Sequence, residues 1–410
     1  MRLLLAVGLI LHGVTSYSFG AEKFWNQFRG PDGSGRWEAK DLPSQFSETE
    51  HVKWKTPIDG KAWSSPVIWE NQVWISNATP DGTKLSAVCL DFETGRILHD
   101  VLVFEIEKPM FCHALNSYGT PTPAVEAGRV YVSYGSAGTA CVDTSTGKVL
   151  WKRQDLKCDH FRGPASSPVI YGDTILLEFD GFDVQFVVAL NKKTGETVWK
   201  KDRAFDYKTN SGDNKKGYGT PAIFTIDGRD VAICPAAVAT ETFDAKTGEL
   251  LWTVRHDGMN ASARPLYEHG LVFITNGMGK MVAVKPQGTG DISESIVWSS
   301  GKSVAKRSSP IIVGDLLFMV TDDGIVTCSD VQTGETHWKE RLGGEYAASP
   351  VFGNGKLYFS SMNGEVTVIA PDREYKVLAT NRFADGFMAT PAIADKSLIL
   401  RSKSAVYRVE

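Results

Sequence analysis

The chain has 410 residues, 42% hydrophobic and 22% charged, a balance that excludes disordered, collagen-like and highly charged classes. Its formal net charge of −4 gives no bulk attraction to nucleic acid or to an anionic membrane. No block of like charge marks an interaction tail.

At the N-terminus, Arg2 precedes the apolar run Leu3 to Leu11, and the small residues Ser18 and Gly20 suit cleavage before Ala21. Residues 1–20 therefore read as a signal peptide. The run is too short to span a bilayer, and no later run is longer. No cysteine lies near the cleavage site to carry a lipid anchor. The expectation is an exported protein, periplasmic or extracellular, that is not a lipoprotein. Residues 21–49 read as an N-terminal extension. Its "GPDGSG" from Gly30 lacks the strand-to-helix context of a phosphate-binding loop.

From residue 50 onward the sequence repeats. Eight prolines, Pro66, Pro123, Pro168, Pro221, Pro265, Pro310, Pro350 and Pro391, each open an apolar stretch broken by a polar turn, at intervals of about 40 to 57 residues. Downstream, "DTSTGKVLW" from Asp143, "NKKTGETVW" from Asn191, "DAKTGELLW" from Asp244 and "DVQTGETHW" from Asp330 repeat a T-G turn followed by a strand ending in Trp. Four strands per unit at this period is the pattern of a propeller blade. Trp151, Trp199, Trp252 and Trp338 then read as docking groups between neighbouring sheets. The Asp residues (Asp91, Asp143, Asp244, Asp330) read as turn residues. Unit one carries His99 in place of Trp, and unit seven has "PDREYKV" instead of the T-G turn. The eighth unit has room for three strands only. "HVKWKTPI", His51 to Ile58, matches the missing outer strand, with Trp54 in the Trp position. The predicted fold is all-β: one eight-bladed β-propeller of four-stranded antiparallel blades over residues 50–410, closed by an N-terminal strand that completes the last blade and removes an open edge. A monomer is expected.

This motif, roughly A-x-D-x-x-T-G-x-x-x-W, resembles the PQQ-like repeat, and the blade count is similar to that of the BamB-like propellers of the quinoprotein alcohol dehydrogenase-like superfamily. "WNQFRGPDGSG" from Trp25, with "WSSPVIW" from Trp63, resembles a group of secreted PQQ-like repeat proteins. The resemblance implies the fold; function is carried by sites grafted on it. It also raises a quinoprotein dehydrogenase as the alternative. Such enzymes typically stack PQQ on a disulfide between adjacent cysteines and hold Ca²⁺ with acidic and amide ligands. Here the cysteines stand at 89, 112, 141, 158, 234 and 328, none adjacent. No cofactor and no catalytic residue is predicted, and the preferred reading is a non-catalytic binding or scaffolding module.

The connections between blades are long and varied, whereas the T-G turns are uniform, which points to binding at the mouth those connections form. They carry His113, Asn116, Tyr118, His160, Arg162, Tyr218, Asn260, Arg264, Arg307 and Tyr346, a set of donors, aromatic faces and cations. A protein or peptide, or a small anionic or carbohydrate ligand, is chemically suited to it. Neither nucleic acid nor a membrane span is expected. Cys112 and Cys158 lie in consecutive connections of an exported chain and are predicted to form a disulfide. A zinc site from these cysteines with His113 and His160 is the less favoured reading, and no metal site is predicted. Cys89, Cys141, Cys328 and Cys234 read as separate buried thiols.

Overall fold

A computed structural model describes residues 24–410. The expected signal peptide, residues 1–20, lies outside the described residues. The chain forms eight antiparallel blades around one axis. Blade 1 comprises Val67–Trp69, Gln72–Ala78, Lys84–Asp91 and Ile97–Glu105 from the axis outward. Blades 2 to 7 repeat this order, with inner strands starting at Ala124, Val169, Ala222, Leu266, Ile311 and Val351. Blade 8 has Ala392–Ala394, Ser397–Arg401 and Ala405–Val409, and its outer strand is Val52–Pro57, registered as Trp54 opposite Arg408 and Thr56 opposite Val406. The predicted ring closure is thus present.

The core is distributed around the ring. Among the described residues, clusters of buried apolar side chains lie mainly between adjacent blades, such as Tyr131, Cys141, Ile175 and Leu177 between blades 2 and 3. The repeated indoles make these joints specific. Trp54 Nε1 donates to Phe92 O at 2.8 Å, Trp151 Nε1 to Lys192 O at 3.0 Å and Trp199 Nε1 to Ala245 O at 3.3 Å, each acceptor lying in the T-G turn of the next blade. Each ring also covers the glycine of that turn, Gly95, Gly195 or Gly248, where a Cβ would collide with the indole. Trp338 donates to Asp372 O at 2.9 Å, and Trp252 is buried between blades 4 and 5. Trp298, not singled out from the sequence, plays the same part for blade 5 through Val331 O and Gly334. Inside the T-G turns an Asp, or Asn191 in blade 3, accepts from the Thr, as Asp143 Oδ1 does from Thr146 N at 2.8 Å and Asn191 Oδ1 from Thr194 N at 3.1 Å.

The segment before residue 50 does not stand apart from the ring. It fills the central channel. Trp25 O and Asn26 O accept from Ile68 N and Val125 N on the inner strands of blades 1 and 2, and Gln27 Oε1 accepts from Ile170 N of blade 3. Arg36–Trp37 then pairs in parallel with Val351–Gly353, the inner strand of blade 7. Leu42 and Phe46 continue outward into the cluster shared by blades 7, 8 and 1. On the axis sits Arg29, 0% exposed, donating to the carbonyls of Gly33, Ser34, Pro310 and Pro350. Gly33, at φ +73, touches the Arg264 guanidinium, so a side chain there is excluded by both backbone and space.

Candidate functional site

Strand order decides which face is variable. Each inner strand begins, and each outer strand ends, at the same mouth, so all eight inter-blade connections gather there, while the T-G turns lie on the opposite face. The residue before each inner-strand proline must be extended, and at the mouth these residues form a ring: Ser65, Thr122, Ser167, Thr220, Arg264, Ser309, Ser349 and Thr390. The backbone N–H of one donates to the side-chain hydroxyl of the next blade's member. This runs from Ser65 to Thr122, to Ser167, to Thr220, and again from Arg264 to Ser309, to Ser349, to Thr390 and back to Ser65, all at 2.9–3.1 Å. The one gap is where Arg264 replaces a hydroxyl. Its side chain turns down the channel instead and donates to Phe28 O at 2.5 Å. Burial with carbonyl rather than carboxylate partners lowers the Arg264 pKa to about 10 and, with the Arg264 charge nearby, that of Arg29 to about 9. The "S/T-P" dipeptides were the visible signal for this ring, and the sequence reading used only their prolines.

Above the ring lies a cavity of about 420 Å³, floored by Phe28 of the channel segment and walled by the connections. Of the predicted site residues, His113, Asn116, Arg162, Tyr218, Asn260 and Arg307 line it. Asn116 Nδ2 ties its wall together, donating to Arg162 O at 2.9 Å and Pro164 O at 3.2 Å. The lining charges are Arg162, Lys306 and Arg307 against the single carboxylate Asp322, which Arg307 Nε pairs at 3.0 Å. Arg162 reaches Asp213 at 3.8 Å. Two wall atoms, Trp63 Nε1 and Asn260 Oδ1, are buried without a hydrogen-bond partner in the protein. Neither atom is exposed to the cavity, so what the cavity offers an occupant is an excess of cations over one carboxylate.

Four of the predicted residues lie elsewhere. Tyr118 is half-buried and donates to Met110 O at 2.8 Å. Tyr346 is buried in the cluster between blades 6 and 7. Arg264 belongs to the channel. His160 is buried below the mouth, where it accepts from Ser136 N at 3.0 Å, and desolvation drops its pKa to about 4. Its environment is that of a neutral structural histidine.

The expected Cys112–Cys158 disulfide is not formed: all six cysteines are free thiols. The two connections do meet, but the thiols point away from each other. Cys158 faces Ser136, with Sγ 3.6 Å from its hydroxyl, and stacks by His160, whereas Cys112 faces Arg162 O at 3.7 Å. Burial raises the Cys112 pKa to about 11 and that of Cys158 to about 12. Among the described residues no group of three or more His, Cys, Asp or Glu is placed to hold a metal ion. A quinone with Ca²⁺ therefore fits the residues poorly. Calcium calls for six to eight oxygen ligands, and the cavity's lone carboxylate is already paired with Arg307.

A family model described as "Outer membrane protein assembly factor BamB" matches residues 45–154, 87–216 and 185–410. The chain belongs to this family. Its relatives include a tetrathionate hydrolase of Acidithiobacillus ferrooxidans, 26% identical over 259 residues, 58% of this chain and 49% of that one. They also include the outer membrane protein assembly factor BamB of Shewanella oneidensis, 23% identical over 241 residues, 55% of this chain and 57% of that one. The match thus spans about half the length of these curated relatives. Among solved structures, a europium-containing methanol dehydrogenase superposes with a TM-score of 0.71 at 12% identity, covering 94% of this chain and 90% of that one, which shows the shared propeller fold. Among the described residues no helix is long and apolar enough to cross a membrane.

Proposed function

We propose that this BamB-family chain is an exported, non-catalytic binding module that takes an acidic peptide segment of a protein partner into the cavity at its mouth. The carrying observation is the excess of cations in the cavity lining, Arg162, Lys306 and Arg307 against Asp322. Lys306 with Arg162 suits a carboxylate. A volume of about 420 Å³ matches a few side chains. The channel segment beneath closes the cavity to through-passage, which suits capture rather than transport. That relatives are named for outer membrane protein assembly supports a protein as partner and export as location.

The test is a titration of acidic, neutral and basic decapeptides into residues 21–410, followed by calorimetry. Selective, salt-sensitive binding of the acidic peptide is expected. Equal binding of all three, or of none, ends the reading. The alternative, a quinoprotein dehydrogenase, is supported by the superposition with a methanol dehydrogenase. It is tested by titrating PQQ with Ca²⁺ and recording the quinone absorbance; stoichiometric binding would replace the peptide reading.

A further inference from the structure

An apolar ridge crowns one side of the mouth. Phe111 is 65% exposed, and Phe161 and Phe182 are each 39% exposed. Their rings form a chain, with centroids 6.3 Å apart from Phe111 to Phe161 and 5.6 Å from Phe161 to Phe182. Met110 and Leu115, both exposed, extend the patch, and Leu115 also lines the cavity. A contiguous exposed apolar surface of this kind on a soluble fold marks a contact site.

Two features show that the ridge is held in place. Phe161 has φ +57, a conformation that costs a bulky residue heavily and persists only where the surroundings impose it. The surroundings are visible. Lys216, itself buried, places Nζ 4.4 Å from the centre of the Phe161 ring and pairs with Asp213. Gly212 packs so closely on Phe182 that a Cβ would collide with its ring. The fold thus spends backbone strain and a buried ammonium to present an aromatic ring to solvent, the opposite of what folding alone would select.

The mouth is also polarised. The ridge belongs to the connections into blades 2 and 3 and to a turn of blade 3, where the lining cation Arg162 lies beside Phe161 and faces Asp213, whereas Lys306 and Arg307 stand in the connection into blade 6, nearly across the ring. We propose that the ridge is the second half of the peptide site: it docks the apolar end of one extended partner segment whose acidic end reaches Lys306 and Arg307. This rests on the binding reading above and adds to it a partner chemistry and a direction. The occupant is a segment of another protein with two or three aromatic or aliphatic residues at one end and carboxylates at the other.

The experiment uses residues 21–410 and a labelled peptide carrying Phe-Leu-Phe at one end and Glu-Asp-Glu at the other, joined by a Ser/Gly linker. A control peptide has the apolar end replaced by serines. Anisotropy titrations should show the amphipathic peptide binding about tenfold tighter than the control. Phe111→Ser, at the most exposed position and so neutral to folding, and the double variant Phe111→Ser/Phe161→Ser should erase that advantage while leaving affinity for the control unchanged. An advantage that survives in both variants, or none in the wild type, overturns the ridge. Lys306→Gln/Arg307→Gln probes the cavity separately: it should weaken both peptides, and no effect would sink the cavity reading while the ridge advantage stood. Sedimentation of the unliganded protein closes the test. A dimer that Phe111→Ser dissociates would make the ridge a contact between copies of this chain and overturn the proposal.

Discussion

The two faces of the ring are built from one repeat yet obey different rules. On the T-G face most turns share an Asp or Asn, a Thr and a glycine covered by a ring of the blade before, an indole over Gly95, Gly195, Gly248 and Gly334 and His99 over Gly147, because each must fit that blade. At the mouth no two connections match, because after the Ser or Thr that closes the hydroxyl ring nothing in the blade packing dictates them. Uniformity records inter-blade constraint, and variety records its release. Substitutions on the first face should therefore read out in stability, and those on the second in binding.

The largest effect should come from the segment that serves both faces. Deleting residues 1–60 removes the channel segment and the outer strand of blade 8 together. Loss of a cooperative melt and aggregation are expected, whereas deletion of residues 1–23 should melt as the intact chain does. Indistinguishable melts would break the account of closure. Next, Arg29→Met leaves the carbonyls of Pro310, Pro350, Gly33 and Ser34 without their donor. A loss of about 3 kcal/mol or more in chemical denaturation is expected. Trp151→Phe, on the uniform face, gives up the bond to Lys192 O and part of the packing, for about 1–3 kcal/mol. Peptide affinity should not move; if it does, the division between the faces fails.

A subtler effect is expected between blades 3 and 4. There Arg203 is enclosed by Glu178, Asp180 and Glu241, all buried. Burial, with Asp180 and Glu241 nearby and despite Arg203, holds the Glu178 carboxyl well above the usual carboxylate range. An acid whose folded pKa is raised stabilises the fold below its unfolded pKa, near about 4.3, and that contribution fades as pH climbs through the raised value. Glu178→Gln should thus flatten the fall in stability from mildly acidic to neutral pH. Melts of the two proteins across that window decide it, and parallel pH profiles would show that Glu178 is ionised in the fold. The smallest effect on stability belongs to the mouth: Arg307→Gln should change it by less than about 0.5 kcal/mol while weakening acidic-peptide binding.

What the sequence disclosed follows the same division. The eight prolines and the T-G turns are local signals, and they were enough for the blade count and for Val52–Pro57 as the closing strand. Trp298 escaped notice because in blade 5 seven residues separate the T-G of "PQGTGD" from the indole, against three in "TGKVLW", so the spacing of the marker is lost. The hydroxyl ring was written in plain "S/T-P" dipeptides, but a bond from one blade to the next cannot be read within one repeat. Residues 24–37 gave no hint of entering the channel, since their partners lie in other repeats, up to 321 positions away. Half-legible too was the mouth: the connections were located, yet whether Tyr346 or His160 faces the cavity or the core depends on side-chain direction, which no spacing reports. The disulfide failed for that reason. Neighbouring loops were inferred correctly enough, but the thiols turn to Ser136 and to Arg162 O instead of to each other.

The pairing of Val52 with Val409 has a consequence in time. The first described stretch of the chain has no finished place to go until the last strand exists, because its axial residues need inner strands from blades 1 to 7 and its outer strand needs blade 8. Ring closure joins residues more than three hundred positions apart, the kind of contact whose entropy must be met before it rewards the chain. A molecule interrupted anywhere before blade 8 would hold a row of sound blades around an unfilled channel, with one bare edge at the end. The ring is therefore complete only when both ends of the described chain are in place.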